Sequence, residues 1–188
     1  MDSKLKTAEL VPAYGGKLVD LRTEAEERAE LLRQAGELAS VQLPDRSLHD
    51  LELLATGAFS PLDRFMAEAD YRRVLTEMRL ADGTLYPIPV TLGVAGLDGL
   101  RQGKHIVLRN SKNNPLAIMR VDEIYERDLK AEARELCGPL FQEHPLAVEV
   151  NSWGKYCLSG PLKVIDLPEH YDFPELRRLR GCLRGADA

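Results

Sequence analysis

The sequence predicts an α+β fold, and three observations predict it. Helical periodicity runs through residues 24–78 and short strand patterns follow over residues 85–167. These strands mostly lack the crossover helices that a parallel α/β sheet requires. Their frequent Gly and Pro turns further predict a small β-barrel, with the helices as additions in the N-terminal half.

The first helix is expected over 24–39. Thr23 stands as N-cap with Glu26 three residues on, as in a capping box. Ala25, Ala29, Leu32, Ala35 and Ala39 recur at helical spacing, with Leu31 and Leu38 beside them, while Glu24, Glu27, Glu30 and Arg33 form a solvated face. A second helix is expected over 48–56, capped by Ser47 and stopped by Gly57, with Leu48, Leu51, Leu54 and Ala55 inward. Ser60-Pro61-Leu62-Asp63 then reads as a Pro-initiated helical turn ending near Met66. A third helix over 70–78 is capped by Asp70 and buries Tyr71, Val74, Leu75 and Met78.

After the Asp82-Gly83 turn, residues 85–94 alternate, with Ile88, Val90, Leu92 and Val94 on one face. Pro87 and Pro89 mark the segment as an edge. Strands over 105–109 and 116–124 flank a polar hairpin turn at 110–115. A fourth helix spans 128–137 and stops at Gly138-Pro139. Three short strands are expected at 146–150, 155–158 and 162–167.

Composition bounds the function. The chain has 188 residues, 44% of them apolar and 29% charged, which is the balance of a globular domain. A net charge of −5 argues against a basic nucleic-acid surface. No apolar run reaches membrane-spanning length and no secretory leader is visible at the N-terminus. Cys137, Cys157 and Cys182 are too few and too scattered for a disulfide framework or a zinc site, so a reducing cytoplasm is expected. His49, His105, His144 and His170 cannot share a helical turn, which removes H-E-x-x-H metal binding. Phosphate-loop, dinucleotide-loop and nucleophile-elbow signatures are also missing from the sequence. No catalytic, cofactor-binding or metal-ligating residue is therefore assigned.

Several segments in order resemble the N-terminal domain of ATP sulfurylase, or sulfate adenylyltransferase. They are Pro12 to Leu21 (PAYGGKLVDL), Leu53 to Met66 (LLATGAFSPLDRFM), Asp82 to Leu92 (DGTLYPIPVTL), Pro115 to Tyr125 (PLAIMRVDEIY) and Leu158 to Val164 (LSGPLKV). Gly57-Ala58-Phe59-Ser60-Pro61-Leu62 followed by Phe65-Met66 is the most specific block, and the likeness spans about residues 10–176. The resemblance implies a PUA-like β-barrel over 1–170 and a linker or tail over 171–188 leading toward a catalytic domain. That family attacks the α-phosphorus of ATP with a sulfate oxygen, and pyrophosphate leaves. It uses a Gln-x-Arg-Asn-Pro motif and a His-x-x-His motif of the catalytic domain. Here Val107 and Ser111 stand where the first motif would need Gln and Pro around Arg109-Asn110, and His-x-x-His is absent from the sequence. No catalytic role carries over.

The remaining motifs read as structural. Gly57–Met66 is expected to place Phe59, Leu62, Phe65 and Met66 in the core. Tyr14-Gly15-Gly16-Lys17 is expected to be a Gly-permitted bend, Arg109–Asn114 a solvated turn, and Trp153 a packing residue at a barrel end or interface. Two functions follow: a non-catalytic domain or split subunit of a sulfate-activating enzyme, whose partner is the catalytic domain, or a free-standing PUA-like module binding RNA or another ligand. The acidic balance favours the first. Its partner-facing surface is expected near Pro168 to Leu179, where His170, Tyr171, Phe173 and Leu176 cluster.

Overall fold

A computed structural model describes residues 12–138, 145, 149, 150 and 153–168. Among the described residues, four helices and seven strands can be bounded after a short 3-10 turn at Tyr14–Gly16: α1 (Ala25–Ala35), β1 (Ala39–Gln42), α2 (Asp45–Ala55), α3 (Glu68–Glu77), β2 (Leu92–Val94), β3 (His105–Arg109), β4 (Pro115–Arg120), β5 (Glu123–Glu126), α4 (Leu129–Cys137), β6 (Tyr156–Ser159) and β7 (Leu162–Val164). Mixed helices and sheets bear out the α+β class. The strands form two sheets, ordered β1-β3-β4-β7 and β2-β6-β5. Among the described residues these are two hydrogen-bonded sheets rather than one closed ring. Among these strands every pairing is antiparallel except that of β1 with β3, and Arg22 adds an isolated parallel bridge to Val164 of β7.

The four-stranded sheet is buried on both faces, and the pleat explains how. Ile106, Leu108, Ala117 and Met119 point into the main core, while Val107 and Ile118 point the other way against Leu31 and Ala35 of α1 and against Ile165. That is why three consecutive residues of β3 and four of β4 are buried. On the inner side, Leu48, Leu51 and Leu54 of α2 share the core with Phe65, Met66, Leu92 and Leu158. Each such side chain contributes about 1.5–3 kcal/mol by leaving water. Both sheets and helices α2 and α3 thus close on a single apolar centre.

Several local expectations are corrected. Two of the helix-start signals were outcompeted by distant partners and a third lies within its helix. The Thr23 hydroxyl donates to the carbonyl of Val164 at 2.9 Å instead of capping α1, whose N-cap is Glu24. Ser47 lies buried inside α2, which starts after Pro44. Asp70 sits in the first turn of α3 and accepts from the Ala81 amide at 2.8 Å, so α3 starts after Ala67. Among the described helix starts, only Asp128 caps with its side chain, accepting from the amides of Lys130 and Ala131. Ala25, Ala29 and Ala39 are exposed, so α1 buries Leu31 and Ala35 alone. Met78 turns outward at the left-handed residue that ends α3. The stretch 85–94 pairs as a strand only over Leu92–Val94, and Ile88 is exposed. Residues 56–61 form a turn, not a Pro-started helix. Within the strand expected at 146–150, the described Glu149 and Val150 are helical.

Candidate functional site

Three of the weighed motifs are structural in place. In Gly57–Met66, Leu62, Phe65 and Met66 are buried, and Phe59 meets Tyr86 edge-on at 6.5 Å. Ser60 is the latch of this block: its hydroxyl accepts from the Val19 amide at 3.0 Å and donates to the Gly57 carbonyl at 2.7 Å. Gly57 has φ +78, and a Cβ there would lie 2.2 Å from the Val19 carbonyl oxygen, so only glycine lets the arm approach. The bend Tyr14–Lys17 rests on the same block. Tyr14 donates to the Leu85 carbonyl at 2.6 Å and Lys17 lies 3.6 Å from Asp63. The turn Arg109–Asn114 closes on itself, with Asn110 Oδ1 accepting from the amides of Lys112 and Asn114. Arg109 is committed to the carbonyls of Ala35 and Asn113.

Trp153 leads to an arrangement that the sequence reading missed. Arg46 of α2 stacks on its indole, 3.6 Å from the ring centroid, and donates to the Pro89 carbonyl at 3.1 Å. One helical turn on, the Asp50 carboxylate lies 3.7 Å from Arg46 Nε. Arg127, just after β5, places its guanidinium 5.5 Å from the same indole. It donates to the Gly154 carbonyl at 2.9 Å and the Thr91 hydroxyl at 3.0 Å. Glu132 of α4 lies 3.4 Å from Arg127 and accepts from the Tyr71 hydroxyl at 2.9 Å. The side chains of Arg127 and Glu132 are 1% and 0% exposed. These groups border a cleft of about 370 Å³ lined by Arg46, Ser47, Thr91, Arg127, Glu149 and Trp153, among others.

Glycine makes this arrangement possible. A Cβ on Gly93 would lie 2.5 Å from Arg127 Nη2, and one on Gly154 only 2.1 Å from the backbone of Val94. The readable signal for the buried pair was Glu132 itself. It interrupts the apolar stripe Leu129, Ala133, Leu136 of α4, and a carboxylate on such a stripe requires a buried cation.

Burial governs the ionisation here. Burial pushes the Asp50 carboxyl up to about 6, against the pull of Arg46 and His49. Burial likewise lowers the Arg46 guanidinium, while Asp50 opposes the shift. Tyr71 is held above its ordinary range by burial first and by the Glu132 charge second. Asp50 Oδ2 has no hydrogen-bond donor among the described residues, which is where its penalty arises. Two guanidiniums thus face two carboxylates, and the cleft's charges are spent on one another. Elsewhere, a cleft of about 620 Å³ beside the Asn110–Asn114 turn has its arginines engaged as well, Arg28 with Asp166 and Arg22 with Asp20. Among the described residues no three His, Cys, Asp or Glu side chains gather as metal ligands.

The Asp50 environment has a pH signature. The folded protein holds this proton more tightly than the unfolded chain, whose carboxyl titrates near 3.8. Stability therefore falls as pH rises from about 4 to about 6, and above 6 the full penalty of roughly 3 kcal/mol is present. Asp50→Asn is expected to raise the urea midpoint at pH 7.5, by about 1–2 kcal/mol in stability after the cost of burying the amide, and to leave it unchanged at pH 3.5. A variant less stable than the parent at pH 7.5 would show that Arg46 needs the charge more than burial resists it.

Comparison with known proteins defines the class. The PUA-like domain family matches over residues 11–167, and the chain belongs to it. Among individual proteins, it is 43% identical over 180 residues to the sulfate adenylyltransferase of Phaeosphaeria nodorum, a match covering 92% of this chain and 31% of that enzyme. It is 39% identical over 160 residues to the sulfate adenylyltransferase of Symbiobacterium thermophilum, covering 84% of this chain and 41% of that one. The matched region is the N-terminal part of such enzymes. A solved structure described as a hexameric APS kinase from Thiobacillus denitrificans aligns with a TM-score of 0.67 at 30% identity, over 89% of this chain and 29% of that one. The chain thus spans less than half the length of each of these relatives. The expected resemblance to the N-terminal region of sulfate adenylyltransferases is borne out. No helix among the described residues is long and apolar enough to cross a membrane.

Proposed function

We propose that this chain is the non-catalytic PUA-like domain of a cytoplasmic sulfate-activating enzyme, and that it works by positioning a catalytic domain or subunit. The supporting observation is that its similarity to sulfate adenylyltransferases extends along about nine-tenths of the chain in the first case, yet takes in only 31% and 41% of the two enzymes. In this reading residues 1–170 are the domain, its two sheets together playing the part of the barrel, and residues 171–188 run toward the catalytic partner. The domain supplies no catalytic, cofactor or metal-binding group, and nucleic acid is not its ligand. Its buried charges support this reading, since Arg127, Glu132, Arg46 and Asp50 are engaged within the domain.

The test is transplantation. The chain is joined through residue 188 to the unmatched part of the Symbiobacterium enzyme, and sulfate-dependent pyrophosphate release from ATP is followed. The chimera is expected to turn over and the chain alone to be inert. Turnover by the chain alone, or an inert chimera beside an active Symbiobacterium parent, overturns the reading.

A further inference from the structure

Strand β4 runs through a corner into β5, and β6 through a matching corner into β7. The two bent strands stay bonded there: the Asp122 amide donates to the Ser159 carbonyl at 2.9 Å and the Arg120 amide to the Pro161 carbonyl at 3.2 Å. Pairing therefore proceeds from β1 to β3, β4–β5, β6–β7 and β2, and among the described residues it stops there. The phase of each ladder shows which backbone groups are left over, because successive residues of a strand point their N–H and C=O to opposite sides. The Leu43 amide donates to the Arg109 carbonyl at 2.8 Å, so Ala39, Val41 and Leu43 face β3 while Ser40 and Gln42 face away. The Arg127 amide donates to the Lys155 carbonyl at 3.0 Å, so Cys157 faces β5, and Leu92 and Val94 bond the other side of β6. Gly93 and Ala95 then face away. These two bare edges border one trench. A cleft of about 320 Å³ is lined by Ser40 and Gln42 from β1 and by Gly93 and Ala95 from β2 and its end, over the buried Val41, Val94 and Leu100. The cleft of about 370 Å³ beside Trp153 continues from the same Gly93 and Ala95 to the start of α2. That start has no side-chain cap. The hydroxyl of Ser47 lies there, on a residue only 4% exposed, and has no hydrogen-bond partner among the described residues.

We propose that this trench takes an extended segment of a separate polypeptide, apolar and basic at alternating positions, as the strand that joins β1 to β2. The backbone character of the occupant follows from the edges themselves: a row of free N–H and C=O groups on each side is matched by another strand, which offers both. Its apolar residues follow from the floor of Val41, Val94 and Leu100. Its basic residues follow from the rims. Asp98 borders the first cleft and Asp45 the second, and neither has an ion pair among the described residues. The same carboxylates repel a nucleic acid, and Arg46 and Arg127 are already held by Asp50 and Glu132. The uncapped amides of α2 and the Ser47 hydroxyl are donors for a carbonyl at the far end of the segment. The surface expected from sequence near Pro168 to Leu179 lies, apart from Pro168, outside the described residues.

Amide exchange and peptide titration, read residue by residue by NMR, test the proposal. In the chain alone the Ser40, Gln42 and Gly93 amides are expected to exchange fast and the Val41 amide slowly. A short, acetylated and amidated peptide of alternating lysine and valine is expected to bind saturably and to slow those three exposed-edge amides about tenfold. The same peptide N-methylated at every second residue keeps its charge, cannot complete both ladders, and is expected not to bind. Gln42→Pro removes an outward N–H without touching a bond to β3 and should abolish binding, while Asp98→Lys should weaken it about tenfold. Circular dichroism and melting temperature establish that both variants remain folded; should Gln42→Pro unfold, the N-methylated peptide on the parent chain decides. Absence of binding, equal binding of the N-methylated peptide, or binding by a folded Gln42→Pro equal to that of the parent overturns the proposal. Ser40 and Gln42 amides already slow in the monomeric chain show a trench filled from within. Sedimentation of a dimer that Gln42→Pro dissolves assigns the trench to a second copy. Either of these results also overturns the proposal.

Discussion

Arg127→Met is expected to cost about 3–5 kcal/mol of folding stability, because it leaves Glu132 charged and without a cation at a site that is 0% exposed. The methionine preserves much of the arginine's apolar length, so lost packing is not the main effect. Three interactions go at once: the pairing with Glu132 and the hydrogen bonds to the Gly154 carbonyl and the Thr91 hydroxyl. The second half of the experiment is the double variant Arg127→Met/Glu132→Leu. With no charge left to bury, it should recover most of the loss, less the bond that the Tyr71 hydroxyl forfeits. Urea unfolding with linear extrapolation measures all three stabilities. A single variant within about 1 kcal/mol of the parent would mean that water reaches Glu132 and that the pair is not a buried one.

Gly160→Ala is expected to be at least as damaging, on the order of 4 kcal/mol, for a purely steric reason. The new Cβ would lie 1.7 Å from the Arg120 carbonyl oxygen and 3.0 Å from the Asp122 amide nitrogen. Both neighbours are backbone. Both are also fixed by the ladder, since the Asp122 amide donates to the Ser159 carbonyl and the Arg120 amide to the Pro161 carbonyl. No rotamer change relieves such a clash, so β6 and the end of β4 must separate. Gly96→Ala is the control. Nothing lies within 4 Å of its would-be Cβ, and the smaller freedom of the unfolded alanine chain should make it neutral or stabilising by about 0.4–1 kcal/mol. Equal melting temperatures for the two variants would show that β4 and β6 are not held this closely.

Legibility from sequence followed the range of the interactions. β3 was read residue for residue, and the hairpin with β4 was read with it, because an apolar run, an Asn-rich turn and a second apolar run lie next to one another in the chain. Helix α2 was read by Leu48, Leu51 and Leu54, all of which are buried. By contrast β1 was missed: the first helix was expected to run to Ala39, and residues 40–42 were assigned no element. Its four residues carry little pattern of their own and exist as a strand through parallel pairing with β3, more than sixty residues on. The capping residues were misread for the same reason. Thr23, Ser47 and Asp70 have cap chemistry, yet Thr23 and Asp70 spend their oxygens on Val164 and Ala81, and Ser47 is buried within the helix. The Arg127–Glu132 pair is five residues apart and was available in principle as a charge on an apolar stripe. The Arg46–Trp153 stack was not, since only the fold brings α2 to the turn before β6.

The placement of Cys157 in the central strand of the three-stranded sheet, paired to Gly93 on one side and Tyr125 on the other, makes the protein its own stopwatch. The thiol is 0% exposed and burial pushes its ionisation upward, so a reagent in solution meets neither the sulfur nor its thiolate. Cys137, partly exposed in the last turn of α4, is the more accessible of the two described thiols. Alkylation at Cys137, resolved by peptide from that at Cys182, thus records arrival of the reagent, while alkylation at Cys157 waits until β6 parts from its neighbours. The ratio of the two rates reads out how often the middle of this domain breathes, without a label being introduced.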